Sequence, residues 1–218
     1  MNRISRKRLI IDMLPIIYLP IGILTTFFFM IKPKKQSVIF ISLFFSGLAY
    51  LIIPYEGWDL TRHYEAFNVI SKLSIESVLD YGQIRYIPLH IYMWCLSAVG
   101  FNKEVLPAIS VFLSYFIVFS VFVSIFNRNN NENTFEVFII LLAVWTLVPF
   151  IDIASSLRQH FSFIISFFGL WLLFVKYNKL GLIYLCLAVV IHISALALLL
   201  LYFIIKIKPS YKQKKLWL

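Results

Sequence analysis

The chain carries uncharged apolar runs too long to be buried inside a soluble domain of its size, and these constrain its fold more than any other feature. Leu180–Ile205 runs 26 residues without a charged side chain, and Val105–Phe126 reads VLPAISVFLSYFIVFSVFVSIF. About 20 residues of α-helix cross the roughly 30 Å hydrocarbon layer of a bilayer. Apolar runs extend over Leu9–Ile31, Val38–Ile53, Tyr86–Phe101, Val105–Phe126, Phe135–Ile151, Ala154–Val175 and Leu180–Ile205, three of them holding a single charged residue, Asp12, Glu136 or Arg158. Backbone polar groups in hydrocarbon must be satisfied within each segment, and these runs are too long and too little alternating for barrel strands. The expected fold is therefore an all-α polytopic transmembrane bundle of about seven apolar segments, forming one integral membrane domain over residues 1–218. With 61% hydrophobic and 14% charged residues there is too little polar side chain to cover a soluble domain. The disordered, disulfide-framework and ordinary cytosolic-enzyme classes fall together.

Two segments are abnormal. Tyr86–Phe101 would rise only about 24 Å as a helix and reads as re-entrant, whereas Leu180–Ile205 would rise about 39 Å and reads as tilted or broken near His192 and Ser194. The first segment follows a basic leader, Arg3, Arg6, Lys7 and Arg8, but is too long for a signal peptide and lacks a small-residue cleavage site, so it reads as a retained anchor. Cys95 and Cys186 lie inside apolar runs, read as small apolar fillers and say little about redox compartment.

A formal net charge of +10 would suggest a nucleic-acid partner in a soluble protein. Here the bases stand at the ends of apolar runs, where they anchor spans against anionic headgroups, and no nucleic-acid-reading module accompanies them. If all seven segments cross, the 20 bases divide equally between the two sides, so the positive-inside rule does not orient the chain. Five of the ten carboxylates, Glu56, Asp59, Glu65, Glu76 and Asp80, fall in the connector Pro54–Arg85, which is expected on the extracytoplasmic side, with Lys32–Lys35 on the cytoplasmic side. Within it, Asp59–Ser71 has Leu60, Tyr64, Phe67 and Ser71 on one helical face, with Asp59, Arg62, His63 and Glu65 away from it. That pattern predicts a short helix lying in the interface, flanked by Tyr50, Tyr55, Trp58, Tyr81 and Tyr86 at headgroup level.

Ionisable groups at membrane depth cost about 2.5–3.5 kcal/mol for Arg or Lys at a helix centre, so each needs a reason. Arg158 opens the segment ASSLRQHFSFIISFFGLWLLFV, with Asp152 placed to cap its start. Ser155, Arg158, Gln159, Ser162, Ser166 and Gly169 share a narrow sector of that helix. Close helix packing explains Ser162, Ser166 and Gly169. It does not call for a guanidinium, although an arginine snorkelling from a helix end is the simpler alternative. His192 lies inside VVIHISALALLL with Ala188 and Ala195 on its face, so it is expected to look into the bundle. It reads either as a neutral, satisfied core histidine or as a general base or hydrogen-bond donor to substrate. Asp59, Arg62, His63 and Tyr64 form a third group, which a solvated face would also explain. No His, Cys or carboxylate set has metal-ligand spacing, and no metal or cofactor is expected.

Together, the acidic GWDLTRHY segment, LRQH opening a later helix and HISAL inside an apolar run resemble the EpsG family and, more loosely, Wzy-type polymerases of bacterial oligosaccharide repeat units. The family's G-x-D-x-x-x-Y-like element corresponds to Gly57, Asp59 and Tyr64, its R-Q element to Arg158 and Gln159, and its H-x-S-A-L element to His192, Ser194, Ala195 and Leu196. Leu60 stands where the family more often has Tyr. Family members are generally longer, with further spans after the last element, so the resemblance implies a truncated member. It further implies a multi-pass protein of the cytoplasmic (inner) membrane that transfers a polyprenyl-diphosphate-linked oligosaccharide onto the sugar hydroxyl of another such unit, as in exopolysaccharide, capsule or O-antigen synthesis. Membrane lipids, the lipid-linked glycan and other glycan-assembly proteins would be its partners. In that reaction Arg158, assisted by Gln159, would hold the diphosphate, His192 would handle the acceptor or leaving-group proton, and Asp59 and Arg62, with Tyr64 of the same element, would bind the glycan. The rival class is a non-enzymatic flippase-like transporter or an accessory subunit of a glycan-assembly complex; a transporter would show matched, Gly/Pro-interrupted repeats.

Overall fold

The computed structural model describes residues 19–27, 35–126 and 134–207. The basic leader, Lys32 and Lys34, the loop 127–133 and the basic stretch beyond residue 207 lie outside the described residues. Every regular element among the described residues is helical: α1 (19–27), α2 (Lys35–Tyr50), α3 (Asp59–Ile70), α4 (Ile75–Asp80), α5 (Ile87–Ala98), α6 (Val105–Phe126), α7 (Thr134–Leu147), α8 (Phe150–Ser155), α9 (Leu157–Phe174), α10 (Leu180–Ile191) and α11 (Leu196–Ile207). Short 3-10 turns lead into α5 (Ile84–Tyr86) and α11 (Ile193–Ala195).

The apolar segments are helical, but only two of the described helices are long and apolar enough to cross a membrane: α6 and α9. Their 22 and 18 residues rise about 33 and 27 Å. The expected spans Val38–Ile53, Tyr86–Phe101, Phe135–Ile151 and Leu180–Ile205 are shorter or interrupted, and Leu9–Ile31 lies outside the described residues except for 19–27. The segment expected over Phe135–Ile151 ends as α7 at Leu147 because Pro149 lacks an N–H and disfavours helical geometry before it. The Val148 carbonyl at that break accepts a hydrogen bond from the Tyr115 hydroxyl at 3.3 Å.

The segment expected to run unbroken over Ala154–Val175 is divided at Ser156 (φ −100°, ψ 61°), so α9 begins at Leu157. Consecutive serines are weak helix formers, and Ser155 turns its hydroxyl back to the Asp152 carbonyl at 3.5 Å. Asp152 accordingly does not cap α9: it lies in the first turn of the separate helix α8. The long segment Leu180–Ile205 is broken, as its length suggested, at His192 (φ −152°, ψ 127°).

Helix α6 is the hub of the bundle, packing on α2, α8 and α9, while α9 and α10 form an antiparallel hairpin. Phe45, Tyr115 and Trp145 make an aromatic knot with centroids 4.9–5.2 Å apart, and Phe45 and Tyr115 are fully buried. Gly169 and Gly181 let α9 and α10 touch: a Cβ on Gly169 would stand 2.8 Å from the Gly181 carbonyl oxygen. The small residues Ser162, Ser166 and Gly169 of the predicted stripe are all buried. Large apolar side chains face outward on the same helices, among them Leu43, Phe116, Ile183 and Val190. Many exposed large apolar side chains around a core containing buried serines fit a lipid surround.

The connector helix α3 differs from expectation in two ways. Its apolar face is covered by the protein, against α5 and α8, rather than laid on lipid. That face comprises Leu60, His63, Tyr64, Phe67 and Ile70, so His63, expected to point away, is buried, and Ser71 falls beyond the helix end and is exposed. The Trp94 indole N–H donates to the Leu73 carbonyl at 3.1 Å and fastens the connector to α5. Gly57 enters α3 with φ +93°, a left-handed turn that favours glycine, which explains the first residue of the GWD element.

Candidate functional site around Arg158

Arg158 sits in the first turn of α9, half-buried. Its Nη1 donates to the Arg85 carbonyl at 3.2 Å, and its Cζ lies 3.9 Å from the centroid of the Tyr86 ring. The Arg85 guanidinium lies over the same ring at 5.0 Å. Tyr86 in turn stacks on His90 (5.9 Å, 12°), and Tyr81 meets His90 edge-on at 5.1 Å. Arg158 is thus the end of an Arg–Tyr–His–Tyr column at the junction of the connector with α5, its Nε buried with no hydrogen-bond partner among the described residues. Snorkelling does not describe this placement, because an aromatic face and a carbonyl 73 residues away hold the guanidinium.

Asp59 opens α3. Its Oδ2 accepts a hydrogen bond from His63 Nε2 at 3.1 Å. That bond is the main cause of a carboxyl held below its ordinary value of 3.8; partial burial opposes it, and the charges of His63, Arg158 and Arg62 add to it. The connector meets α9 through the Arg85 carbonyl and the Tyr86 ring, which hold Arg158, and Asp59 lies within electrostatic range of that guanidinium. Arg62 is exposed beside Asp59. Tyr64 is not brought to this cluster: its ring is buried under the Lys103 ammonium at 5.3 Å, and its hydroxyl is buried with no hydrogen-bond partner among the described residues. Burial, chiefly, pushes that hydroxyl's pKa up.

His192 stands at the break between α10 and α11, with Ala188 and Ala195 fully buried beside it. Its Nδ1 accepts from the Ser194 backbone N–H at 3.3 Å and lies 2.7 Å from the Ser194 hydroxyl, which accounts for the serine of the H-x-S-A-L element. The charges of Arg158, Asp59 and Arg85 reach the imidazole. Gln159 is exposed, one position beyond Arg158.

A cavity of about 240 Å3 opens between α5, α6, α9 and α10. Leu89, Tyr92, Leu113, Phe161 and Ile191 make it mostly apolar, and Arg158 is its one charged lining residue. A single side chain therefore belongs both to a greasy cavity and to the polar cluster. Among the described residues, no group of three or more His, Cys, Asp or Glu is placed to share a metal ion.

Sequence reasoning singled out Asp59, Arg158 and His192, which the fold sets within electrostatic range of one another, and counted Tyr86 only as a headgroup aromatic. It missed Arg85 and His90. The available signal was Arg85-Tyr86 followed by Pro88 and His90, a base, an aromatic and a histidine at the entry of an apolar helix.

No curated protein and no solved structure matches the chain. The model of the EpsG family matches residues 57–218, which include the GWD, RQ and HISAL elements and every residue of the cluster described above. With well over half of its length matched, the chain belongs to the EpsG family, membrane proteins of polysaccharide biosynthesis.

Proposed function

We propose that the protein polymerises polyprenyl-diphosphate-linked oligosaccharide repeat units, transferring one glycan from its lipid carrier to a hydroxyl of another. The observation that carries this reading is the double membership of Arg158. A lipid diphosphate is an apolar chain joined directly to a dianionic or trianionic group, and a site for it needs an apolar groove meeting a fixed cation. The cavity supplies the groove, room for the head-proximal end of the carrier with the remainder in the bilayer. Arg158 supplies planar donors that can grip two phosphate oxygens at once. Arg85 adds a second positive charge over the same ring. In this reading His192 would meet the leaving diphosphate, and Asp59, Arg62 and Gln159, all exposed, would contact the sugars. The shorter apolar helices α2, α10 and α11 would accompany α6 and α9 in the membrane, with the connector on the outer face of the cytoplasmic membrane.

The broken segment α10–α11 favours one rival, because discontinuous helices around a polar residue are also how secondary transporters build sites. The two readings part in one experiment. Full-length protein in proteoliposomes is supplied with lipid-linked repeat units extracted from cells deleted for its gene. Chain elongation supports the polymerase; movement of the lipid across the bilayer without elongation refutes it and supports the transporter; neither activity refutes both and leaves an accessory role.

A further inference from the structure

Resting on that polymerase reading, we propose that the proton acceptor of the transfer is the Asp59 carboxylate, positioned by His63, and that His192 serves as a hydrogen-bond donor rather than as the base. The tautomer of His192 carries the first half of the argument. A backbone N–H can only donate, so Nδ1, which takes the Ser194 N–H at 3.3 Å, bears no proton. The neutral ring then carries its proton on Nε2 and offers the site a donor, not a lone pair. Serving as a base would require it to become an imidazolium and give up the Ser194 N–H.

Asp59 has what His192 lacks. Carboxylates accept only, so His63 must donate through Nε2, and the bond uses one oxygen, Oδ2. Among the described residues the other oxygen, Oδ1, has no hydrogen-bond partner. The His63 side chain is 7% exposed and that of Asp59 50%, so the imidazole is the buried support and the carboxylate is the group presented to solvent and substrate. Asp59 is also the carboxylate whose charge reaches both Arg158 and His192. Like any carboxyl near its ordinary value it is anionic at neutral pH; the bond from His63 lowers its pKa further, so its contribution as a base is its placement and its free oxygen rather than raised basicity.

The step then balances without a co-reactant. The acceptor sugar's hydroxyl oxygen forms a bond to the anomeric carbon of the donor glycan, and its proton passes to Asp59 Oδ1. The bond from that carbon to the phosphate oxygen breaks, its electron pair staying on the diphosphate, where Arg158 and the His192 Nε2–H stabilise the charge. Half-exposed, the protonated Asp59 returns its proton to water.

The test uses full-length protein in proteoliposomes, lipid-linked repeat units from the deletion strain for elongation, and undecaprenyl diphosphate for binding, followed by tryptophan fluorescence. Asp59→Asn keeps the shape and removes the base: kcat is expected to fall by about a hundredfold or more, the range for general acid–base groups, with KM and the Kd for undecaprenyl diphosphate within about threefold. His63→Gln, which keeps an N–H at similar reach, should hold kcat within about tenfold, and His63→Ala should fall further at unchanged KM. Wild-type kcat in Asp59→Asn, or a loss confined to Kd, overturns the base assignment and leaves the polymerase reading standing. Equal kcat in His63→Gln and His63→Ala overturns the positioning role. A wild-type protein that does not elongate overturns both readings together.

Discussion

Replacing Arg158 with lysine keeps the positive charge and tests whether geometry or charge matters. The guanidinium does three things at once: it donates to the Arg85 carbonyl at 3.2 Å, lies flat on Tyr86 at 3.9 Å and has donors left for a diphosphate. An ammonium on a flexible stem is a point charge and cannot do all three. Losing one charge-assisted hydrogen bond to the phosphates removes about 1.5–3 kcal/mol. Losing the planar stack on a half-buried tyrosine removes about 0.5–1 kcal/mol more. The sum, about 2–4 kcal/mol, corresponds to a drop of thirtyfold to nearly a thousandfold in kcat/KM, enough to erase polymer in cells. Membrane levels of the protein should not change, since the side chain stands beside a cavity rather than in the packed core. The assay is elongation of cognate lipid-linked repeat units by reconstituted wild-type and Arg158→Lys proteins, with undecaprenyl diphosphate affinity measured in parallel. Full-length polymer and wild-type affinity in Arg158→Lys would refute the assignment.

Tyr86→Leu removes the stacking surface but leaves the Arg85 carbonyl, and should weaken undecaprenyl diphosphate binding only about two- to fivefold; an effect as large as that of Arg158→Lys would mean Tyr86 acts directly on substrate. Gly181→Val puts a Cβ against the Gly169 carbonyl and within 2.6 Å of Leu173 Cγ, so α9 and α10 must separate. That overpacking should destabilise the protein by about 1–3 kcal/mol, read as an apparent Tm several degrees lower in detergent; an unchanged Tm would show the helices are not held this closely. Tyr64→Phe deletes a buried hydroxyl that has no hydrogen-bond partner among the described residues, and should leave Tm level or raised and elongation within about twofold; a tenfold loss of elongation would restore Tyr64 as a glycan ligand. Asp59 has a folded-state pKa below its ordinary 3.8, so its stabilising contribution is full above that value and is lost as pH falls through the folded one. Unfolding followed between pH 5 and 2 should show an acid-sensitive step that Asp59→Asn lacks, and identical profiles would deny the His63 bond.

Much of the architecture was legible in composition and periodicity, because helix formation and the exclusion of apolar side chains from water are local. The shortness of Tyr86–Phe101 and the break in Leu180–Ile205 could be read from length alone. The breaks at Pro149 and Ser156 were not resolved, since each turns on which short-range hydrogen bonds compete with the helix. His63 was placed on the wrong face because helical periodicity alone treats the lipid-facing and protein-facing sides of α3 alike. Its burial depends on α5 and α8 arriving over it, and the Asp59 carboxylate then offers the imidazole a partner that makes burial tolerable.

The amino-acid sequence alone determined that this is a helical membrane chain and that Arg158, His192 and the Asp59 segment need explaining, because an ionisable group in an apolar run is anomalous whatever surrounds it. Only the tertiary structure decided what surrounds them. Seventy-three residues separate Arg158 from the carbonyl it binds, and His192, on a third element, lies within electrostatic range of that guanidinium. Such placements depend on how helices pack, a property of many distant contacts at once, and no local pattern of residues encodes them.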